Sequence, residues 1–434
     1  MLNNAKLPES PSKKTRTFKK FISYYKPYKL LLTINLLSAA VYATLGLALP
    51  LCVRYITNDI LQSGTQDVLP EILRVGGLML GIILFMTACS IFYDYKGHDM
   101  GAKIERDIRS ELFEHYQKMS FSFYDDRNTG ELMSRLSNDL HGFSEICHHV
   151  PENILIYGIQ VIGSFVILFI VDWRLALVIC AIMPFMIVYA FIYYKKLQKS
   201  YKENRKCISD VNEIVQESLS GIRMTKSFTG EDSEIKKFNI GNNKYYKSRS
   251  GIYKSEAMFY SVVGSFFTPL FTVAIAVAGG IWISGNSLNI ANLLMFIMYA
   301  AYLTGPVPQL AGIMPFYQEG FSGYNRFREI MDTAPEILDT TNAIELKDCK
   351  GHVEFKDVTF RYGGKHEYVL HNINLDVRHG ETVAIVGRSG IGKTTLCSLV
   401  PRFYEVSEGA VYIDGTDIRS VTQKSLRRQI GIVR

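Results

Sequence analysis

Long stretches without a charged residue dominate the chain and set its elements. They run at 30–53, 75–93, 153–171 and 175–194, and a fifth, 62 residues long, covers 257–318. A helix needs about 20 residues to cross the hydrocarbon of a bilayer. Each of the first four runs therefore predicts one span and the fifth predicts two, divided at Ser284-Gly285-Asn286-Ser287, which has turn chemistry. The six expected transmembrane helices fall at about 29–53, 72–95, 151–171, 174–194, 257–283 and 290–312. Basic residues give the direction: segments 96–149 and 195–256 contain 7 and 14 lysines and arginines, and 55–73 and 283–290 contain none. The long loops and both termini are then cytoplasmic, and Val171-Asp172-Trp173-Arg174 is a tight outer hairpin with Trp173 at the interface.

The two cytoplasmic segments keep a helical period. Ile104, Ile108, Leu112, Tyr116 and Met119 fall three or four apart, as do Leu132, Leu136, Leu140 and Phe143, which predicts amphipathic helices continuing the second and third spans below the membrane. About 19 helical residues from Asp99 would reach some 28 Å. Between them, residues 125–130 break the period and predict a turn or short cross-helix. Segment 195–256 repeats the design, with Ser218 to Arg223 at its tip. Such rods suit force transmission, and by spacing alone they equally suit helical hairpins packed on one another.

The first 29 residues hold eight basic residues against one acid, Glu9. Phe18, Phe21, Ile22 and Tyr25 recur at roughly helical spacing within 16–28, which fits an amphipathic helix on the cytoplasmic face; a solvated basic tail is the other reading. A secretory signal fits poorly, because the following apolar run is too long and lacks a small-residue cleavage site. The chain thus divides into a tail (1–28), a transmembrane domain (29–318), a linker (319–350) and a C-terminal segment (351–434).

The candidate chemistry lies in that last segment. Gly387-Arg388-Ser389-Gly390-Ile391-Gly392-Lys393-Thr394 fits the phosphate-loop pattern G-x-x-x-x-G-K-[ST]. Its glycines let the backbone curl so that successive N–H groups converge on phosphate oxygens, Lys393 would reach the β- and γ-phosphates, and Thr394 would offer its hydroxyl to Mg²⁺. Thr382-Val383-Ala384-Ile385-Val386 is expected to be a buried strand before the loop, and 393–401 the helix after it, whose N-terminus favours an anion.

Several further stretches carry a family resemblance: FSFYD at 121–125 with TGELMSRLSND at 129–139, ESLSGIRMTKSF at 217–228, YNRFREIMD at 324–332 and VEFKDVTFRY at 353–362. With the phosphate loop, they closely resemble ABC exporters of the half-transporter type, multidrug and lipid exporters among them, from about residue 16 to the end. The resemblance implies an all-α six-helix transmembrane domain with long cytoplasmic helical extensions, followed by a partial α/β P-loop NTPase domain. It implies that Tyr362 stacks on adenine, that Gly387 to Thr395 bind the triphosphate of ATP with Mg²⁺, and that the tips near 124–130 and 219–226 are coupling helices. It also implies a second half-transporter chain as partner, homodimeric or heterodimeric, and a cell-membrane location. The cargo would be a small molecule, lipid or peptide moved outward. In that family the next residue after Arg434 would be a glutamine contacting Mg²⁺ and the attacking water, with the signature loop, Walker B aspartate, catalytic glutamate and switch histidine beyond it. The expectation is a C-terminally truncated chain with no catalytic residue of its own, in which 382–386 lacks partners and exposes apolar surface.

Leu219 to Arg223, Leu168 to Asp172 and Val411 to Asp414 imitate signature and Walker B motifs, but their positions in a rod, at the outer end of a span and in a strand-turn element exclude them. The seven cysteines are scattered, with no disulfide framework. His141, Cys147, His148 and His149 read as solvated, interface-facing side chains, because His148 and His149 point to different helix faces and no second ligand cluster accompanies them. The net charge of +7 follows from the cytoplasmic flanks and implies no nucleic acid. Tyr260, Phe266, Phe267, Phe271, Phe296, Tyr299 and Tyr302 either line a cavity for amphipathic cargo or pack against lipid and helices. A proton-coupled carrier fits less well, because the spans offer no Asp, Glu, Lys, Arg or His as a relay. An exporter subunit remains, with a nonhydrolysing membrane protein that dimerises through its spans as the alternative.

Overall fold

The structure, a computed structural model, describes residues 20–62, 68–363 and 367–433, the side chain of Pro315 excepted. The basic tail expected before residue 20 lies outside the described residues. In the part of the interfacial helix that is described, Phe21 packs edge-on to Phe143 at 5.4 Å and stacks with Phe321 at 6.2 Å. Tyr25 Oη donates to the Cys147 carbonyl at 2.7 Å, so this segment is held by protein contacts.

The helices follow the apolar pattern and extend well beyond it. They are α1 (Lys29–Tyr55), α2 (Val68–Lys118), α3 (Phe121–Asp125), α4 (Thr129–Val171), α5 (Trp173–Ser220), α6 (Ile222–Ser227), α7 (Glu231–Ser261), α8 (Thr268–Ser284), α9 (Ile290–Thr304) and α10 (Pro306–Met331). Single π-helical turns, Ile56–Ile60 and Val262–Phe267, extend α1 and join α7 to α8. Among the described residues six helical stretches are long and apolar enough to cross a membrane. The chain is a multi-pass membrane protein. The sixth stretch breaks after Thr304, where Pro306 and Pro308 cannot donate to the helical ladder. The short cross-helix expected after residue 125 stands slightly earlier, as α3.

Two compact units form: described residues up to Ile104 with Gly142–Phe321, and Glu105–His141 with Ser322–Arg434. In the first unit α5 packs along α7 and α8, and α9 packs along α1 and α8. Phe267, Phe271, Phe296 and Tyr299 are buried there, and Tyr260 and Phe266 are exposed, so the aromatic set divides between core and surface. Tyr299 and Tyr302 donate to the carbonyls of Leu47 and Gly46 at 2.5 and 2.9 Å. At the outer hairpin the Asp172 carboxylate caps α5 by accepting from the N–H groups of Arg174 and Leu175 at 2.9 and 3.2 Å. Arg174 in turn donates to the Ser287 carbonyl at 3.0 Å, tying this hairpin to the turn at 284–287. The expectation of spans without ionisable residues needs correction, since Lys29, Arg74, Asp94 and Arg174 stand at the ends of the expected spans and one further ionisable residue is buried. Glu152, in the first turn of the span expected at 151–171, is buried and accepts from Asn35 Nδ2 at 2.5 Å. A charge-free count starting at 153 misses it.

In the second unit, Ile108, Leu112 and Tyr116 of α2 and Leu132 and Leu140 of α4 are buried, as their spacing predicts. Polar pairs lock α4 to α10: Arg326 grips Asp139 at 2.5 and 2.6 Å, and Arg135, paired with Glu131 of its own helix at 2.5 Å, reaches Glu329 at 3.3 Å. Strands β1 (Val353–Phe360), β2 (Leu370–Val377), β3 (Glu408–Ile413) and β4 (Thr416–Asp417) form one antiparallel sheet in the order β2-β1-β3-β4. Phe355, Val358 and Phe360 of β1 bury against Leu396 and Leu399 of α11 (Lys393–Leu399) and Leu426 of α12 (Gln423–Arg428). The segment read as a linker is helical to Met331, and Ile344 then exchanges backbone bonds of 3.0 Å with Ser420 and Thr422. At the β3–β4 turn the Asp414 carboxylate accepts from the N–H groups of Lys350 at 2.6 Å and His352 at 3.0 Å.

The expected strand at 382–386 is not formed, and this is the clear departure. Val383, Ile385 and Val386 are 46%, 39% and 88% exposed. A continuously apolar strand is stable when paired and covered on both sides. Among the described residues β1 to β4 satisfy one another, and no strand pairs with this run. The exposed apolar surface expected here is present.

Two predictions follow from the packing. α4 and α10 cross so closely that a Cβ on Gly320 would overlap the Gly142 carbonyl oxygen and the Ile146 side chain, whereas a Cβ on Gly142 meets nothing nearer than 3.4 Å. Gly320→Ala should therefore cost about 1–3 kcal/mol, and Gly142→Ala should be neutral or stabilising by up to about 1 kcal/mol, read from thermal unfolding of the detergent-solubilised chain. Equal effects would contradict this crossing. Burial opposes the charge on Asp414, but the N–H of His352, the Cys349 thiol and the N–H groups of Lys350 and Gly351 outweigh it and pull its pKa down to about 2. A lowered carboxylate pKa stabilises the fold above its unfolded value, about 3.9, and that contribution is lost as pH falls toward 2. Asp414→Asn should lower the unfolding temperature at pH 6, with the gap from the native chain closing between about pH 4 and pH 2.

Candidate nucleotide site

The phosphate-loop sequence forms an exposed loop at 387–392 that leads directly into α11. Gly390 and Gly392 have φ of +83° and +101°, backbone that favours glycine. Gly392 is fixed twice over, because a Cβ there would also come within 2.9 Å of Leu370 Cδ2 and 3.1 Å of Val369 Cγ1. Its carbonyl accepts from the N–H of Leu396 at 2.9 Å and opens the helix. Lys393 folds back over the loop and donates to the Gly387 and Arg388 carbonyls at 2.9 and 2.8 Å. An ammonium has three donors, so among the described residues one is left for an anion. Arg388, Ser389, Ile391 and Thr394 are exposed. Thr394 begins the helix beside Lys393, and its hydroxyl has no protein partner among the described residues.

Thr395 behaves differently. It is buried, and its Oγ1 lies 2.8 Å from Tyr362 Oη, so the residue expected at the nucleotide base and the end of the phosphate loop are brought together. Tyr362 stands edge-on to Phe360 at 5.0 Å and to Tyr404 at 5.2 Å. Tyr404 carries the chain of contacts onward: its hydroxyl donates to Asp125 Oδ2 at 2.7 Å. The Asp125 carboxylate opposes ionisation of that hydroxyl, and burial opposes it more strongly; its pKa is raised well above the ordinary phenol value. Phe121 of α3 packs on Phe403 at 4.3 Å, and Ser122 of α3 donates to Glu336. A cleft of about 550 Å³ is lined by Ser122, Glu336, Arg361, Tyr362, Tyr404 and Ser407. α3 thus touches the element that follows the phosphate-loop helix, through side chains whose importance no spacing rule reveals. The aromatic pair Phe403-Tyr404, two residues after Pro401, is the one sequence signal that points there.

The imitations do other work. Asp414 holds the backbone at 350–352, Asp172 caps α5, and Gly221 ends that same helix. The histidine reading needs correction. His141 lies 3.7 Å from Glu105, apart from the others, but His98 of α2 and Glu145 join His148 and His149, with all four ligating atoms within 4.8 Å of one another. His148 is 1% exposed, not solvated. His98 is 50 positions away from His148 and reaches it only through the helix crossing.

Comparison with known proteins agrees with this arrangement. Residues 32–307 match the model of the ABC transporter transmembrane region, and residues 370–434 match the ABC transporter model. The chain is 36% identical over 415 residues to an uncharacterized ABC transporter ATP-binding protein, YwjA, of Bacillus subtilis, covering 96% of this chain and 71% of that protein. It is 31% identical to the putative multidrug export ATP-binding/permease protein YgaD of the same organism, over 96% of this chain and 72% of that one. It is 32% identical to the ATP-dependent lipid A-core flippase of Desulfotalea psychrophila, over 94% and 70% of the two chains.

Proposed function

The chain belongs to the ABC transporter family, and from that premise we propose that it is one subunit of an ATP-driven exporter of amphipathic or hydrophobic molecules. The observation that carries the reading is the phosphate loop, with Lys393 held over it, in one chain with six apolar helices. ATP would lie along Gly387 to Thr395: the loop N–H groups and the Lys393 ammonium neutralise the β- and γ-phosphates, and Tyr362 stacks on the base. Thr394 is the residue suited to Mg²⁺, because its exposed hydroxyl stands at the start of α11; the ion would share its charge with the phosphate oxygens. None of this chain's residues is assigned the role of general base. Their part is to bind ATP and to carry its effect through Tyr362, Tyr404 and Asp125 to α3.

A second half-transporter chain completes the assembly, homodimeric or heterodimeric. The lysine and arginine distribution supports a cell-membrane protein with the N-terminus and nucleotide-binding segment in the cytoplasm. The neutral, aromatic last spans suit a lipid-like or drug-like cargo, in line with the names of the multidrug and lipid A-core relatives.

Two measurements test this. Lys393→Ala in the purified chain should weaken binding of a fluorescent ATP analogue by at least about tenfold. Cells carrying the same substitution should retain more of an amphipathic dye panel than cells with the native residue. Undiminished nucleotide binding together with unchanged retention of every dye would overturn the proposal.

A further inference from the structure

Just beyond the second and third apolar runs, α2 and α4 hold a cluster of three histidines and one carboxylate. Glycine explains how it forms. Gly97 and Gly101 are one helical turn apart on α2, and a Cβ on Gly101 would lie 2.9 Å from His148 Nδ1 and 3.0 Å from Ser144 Oγ. No side chain separates the two helices there, the kind of close approach that small residues allow. His98, next to Gly97, consequently sets its ring 4.3 Å from that of His148 and 5.2 Å from that of His149, and the latter two are 4.2 Å apart. Glu145 adds a carboxylate, with Oε2 3.4 Å from His149 Nε2.

His148 gives the decisive detail. It is buried, its Nδ1 faces the Ser144 carbonyl at 3.2 Å, and its Nε2 is enclosed with no hydrogen-bond partner among the described residues. A carbonyl accepts only, so Nδ1 carries the proton and Nε2 presents a lone pair. A backbone carbonyl that takes the proton of one ring nitrogen in this way is what orients metal-ligating histidines. Three imidazoles and one carboxylate favour zinc or a neighbouring first-row divalent ion over magnesium or calcium, which prefer oxygen alone. We propose that His98, Glu145, His148 and His149 form a transition-metal site, occupied by Zn²⁺, that ties α2 to α4. Tetrahedral zinc with bonds near 2.0–2.1 Å needs donors about 3.4 Å apart. The donors here, within 4.8 Å, close to that spacing by rotation of His98 and His149, which are both partly open to water. A bound ion would resist sliding of one helix past the other.

The test uses the full chain in detergent, purified through a tag without histidine, with its exposed cysteines alkylated and its metal removed by chelation. Zn²⁺ is titrated in competition with a chromophoric chelator, and the zinc-loaded chain is examined by X-ray absorption. The expected results are one Zn²⁺ per chain, an imidazole-rich zinc shell, and binding weakened at least about 100-fold in His98→Gln/His149→Gln. Unaltered affinity in that folded double variant, no stoichiometric uptake by the native chain, or a zinc shell without imidazole would overturn the proposal. The absorption result stands on the native chain, so it decides the matter even where the variant fails to fold.

Discussion

A backbone in hydrocarbon must satisfy its own N–H and C=O groups, since no water is there to do so. That constraint turns every long apolar run of this chain into helix and moves all irregular backbone to the ends. The ends are then capped from within: Asp172 takes the first N–H groups of α5, and Asn289 accepts from the N–H of Ala291 at the start of α9. Association of the helices relies less on hydrophobicity than on close fit, because lipid tails are as apolar as leucine. Gly163 against Leu47 and Gly279 against Leu293 provide that fit, as do the tyrosine hydroxyls that reach the carbonyls of α1.

Outside the membrane the helices enter water, and different interactions take over. There α2, α4 and α10 are held by an apolar stripe and by charged pairs that keep one partner largely buried, such as Arg135 with Glu131 and Glu329. The contact of α3 with the sheet unit is chiefly aromatic. A single hydrogen bond such as Tyr404 to Asp125 is worth about 1 kcal/mol net, while each ring pair among Phe121, Phe403, Tyr404, Phe360 and Tyr362 adds about 0.5–1.5 kcal/mol beyond its burial. The rings therefore hold the joint together, and the hydroxyl sets its orientation. Such a joint can pass on a displacement of the phosphate-loop helix, because Tyr362 is bonded to Thr395 in that helix.

Much of this was legible in the sequence, for identifiable reasons. Span number, the turn at 284–287, the buried faces of the cytoplasmic helices and the phosphate loop all rest on local periodicity or on residues with narrow conformational roles. Non-local features were not legible. The run 382–386 reads as a strand by composition, yet a strand exists only with partners, and none pairs with it among the described residues. His98 joins His148 and His149 across a crossing whose position depends on Gly97 and Gly101, and no spacing rule reports that. The aromatic residues of the last spans divide between core and surface according to helix rotation, which composition does not fix.

The central claim is that nucleotide at the 387–395 loop is felt at α3 through Tyr362, Tyr404 and Asp125. Hydrogen–deuterium exchange of the full chain in lipid nanodiscs, with and without ATP, tests it most directly. The account predicts that amides at 393–404 and at 121–131 slow together when ATP is added, and that Tyr404→Phe preserves the first response and diminishes the second. Slowing at 393–404 with no change at 121–131 in the native chain would contradict it.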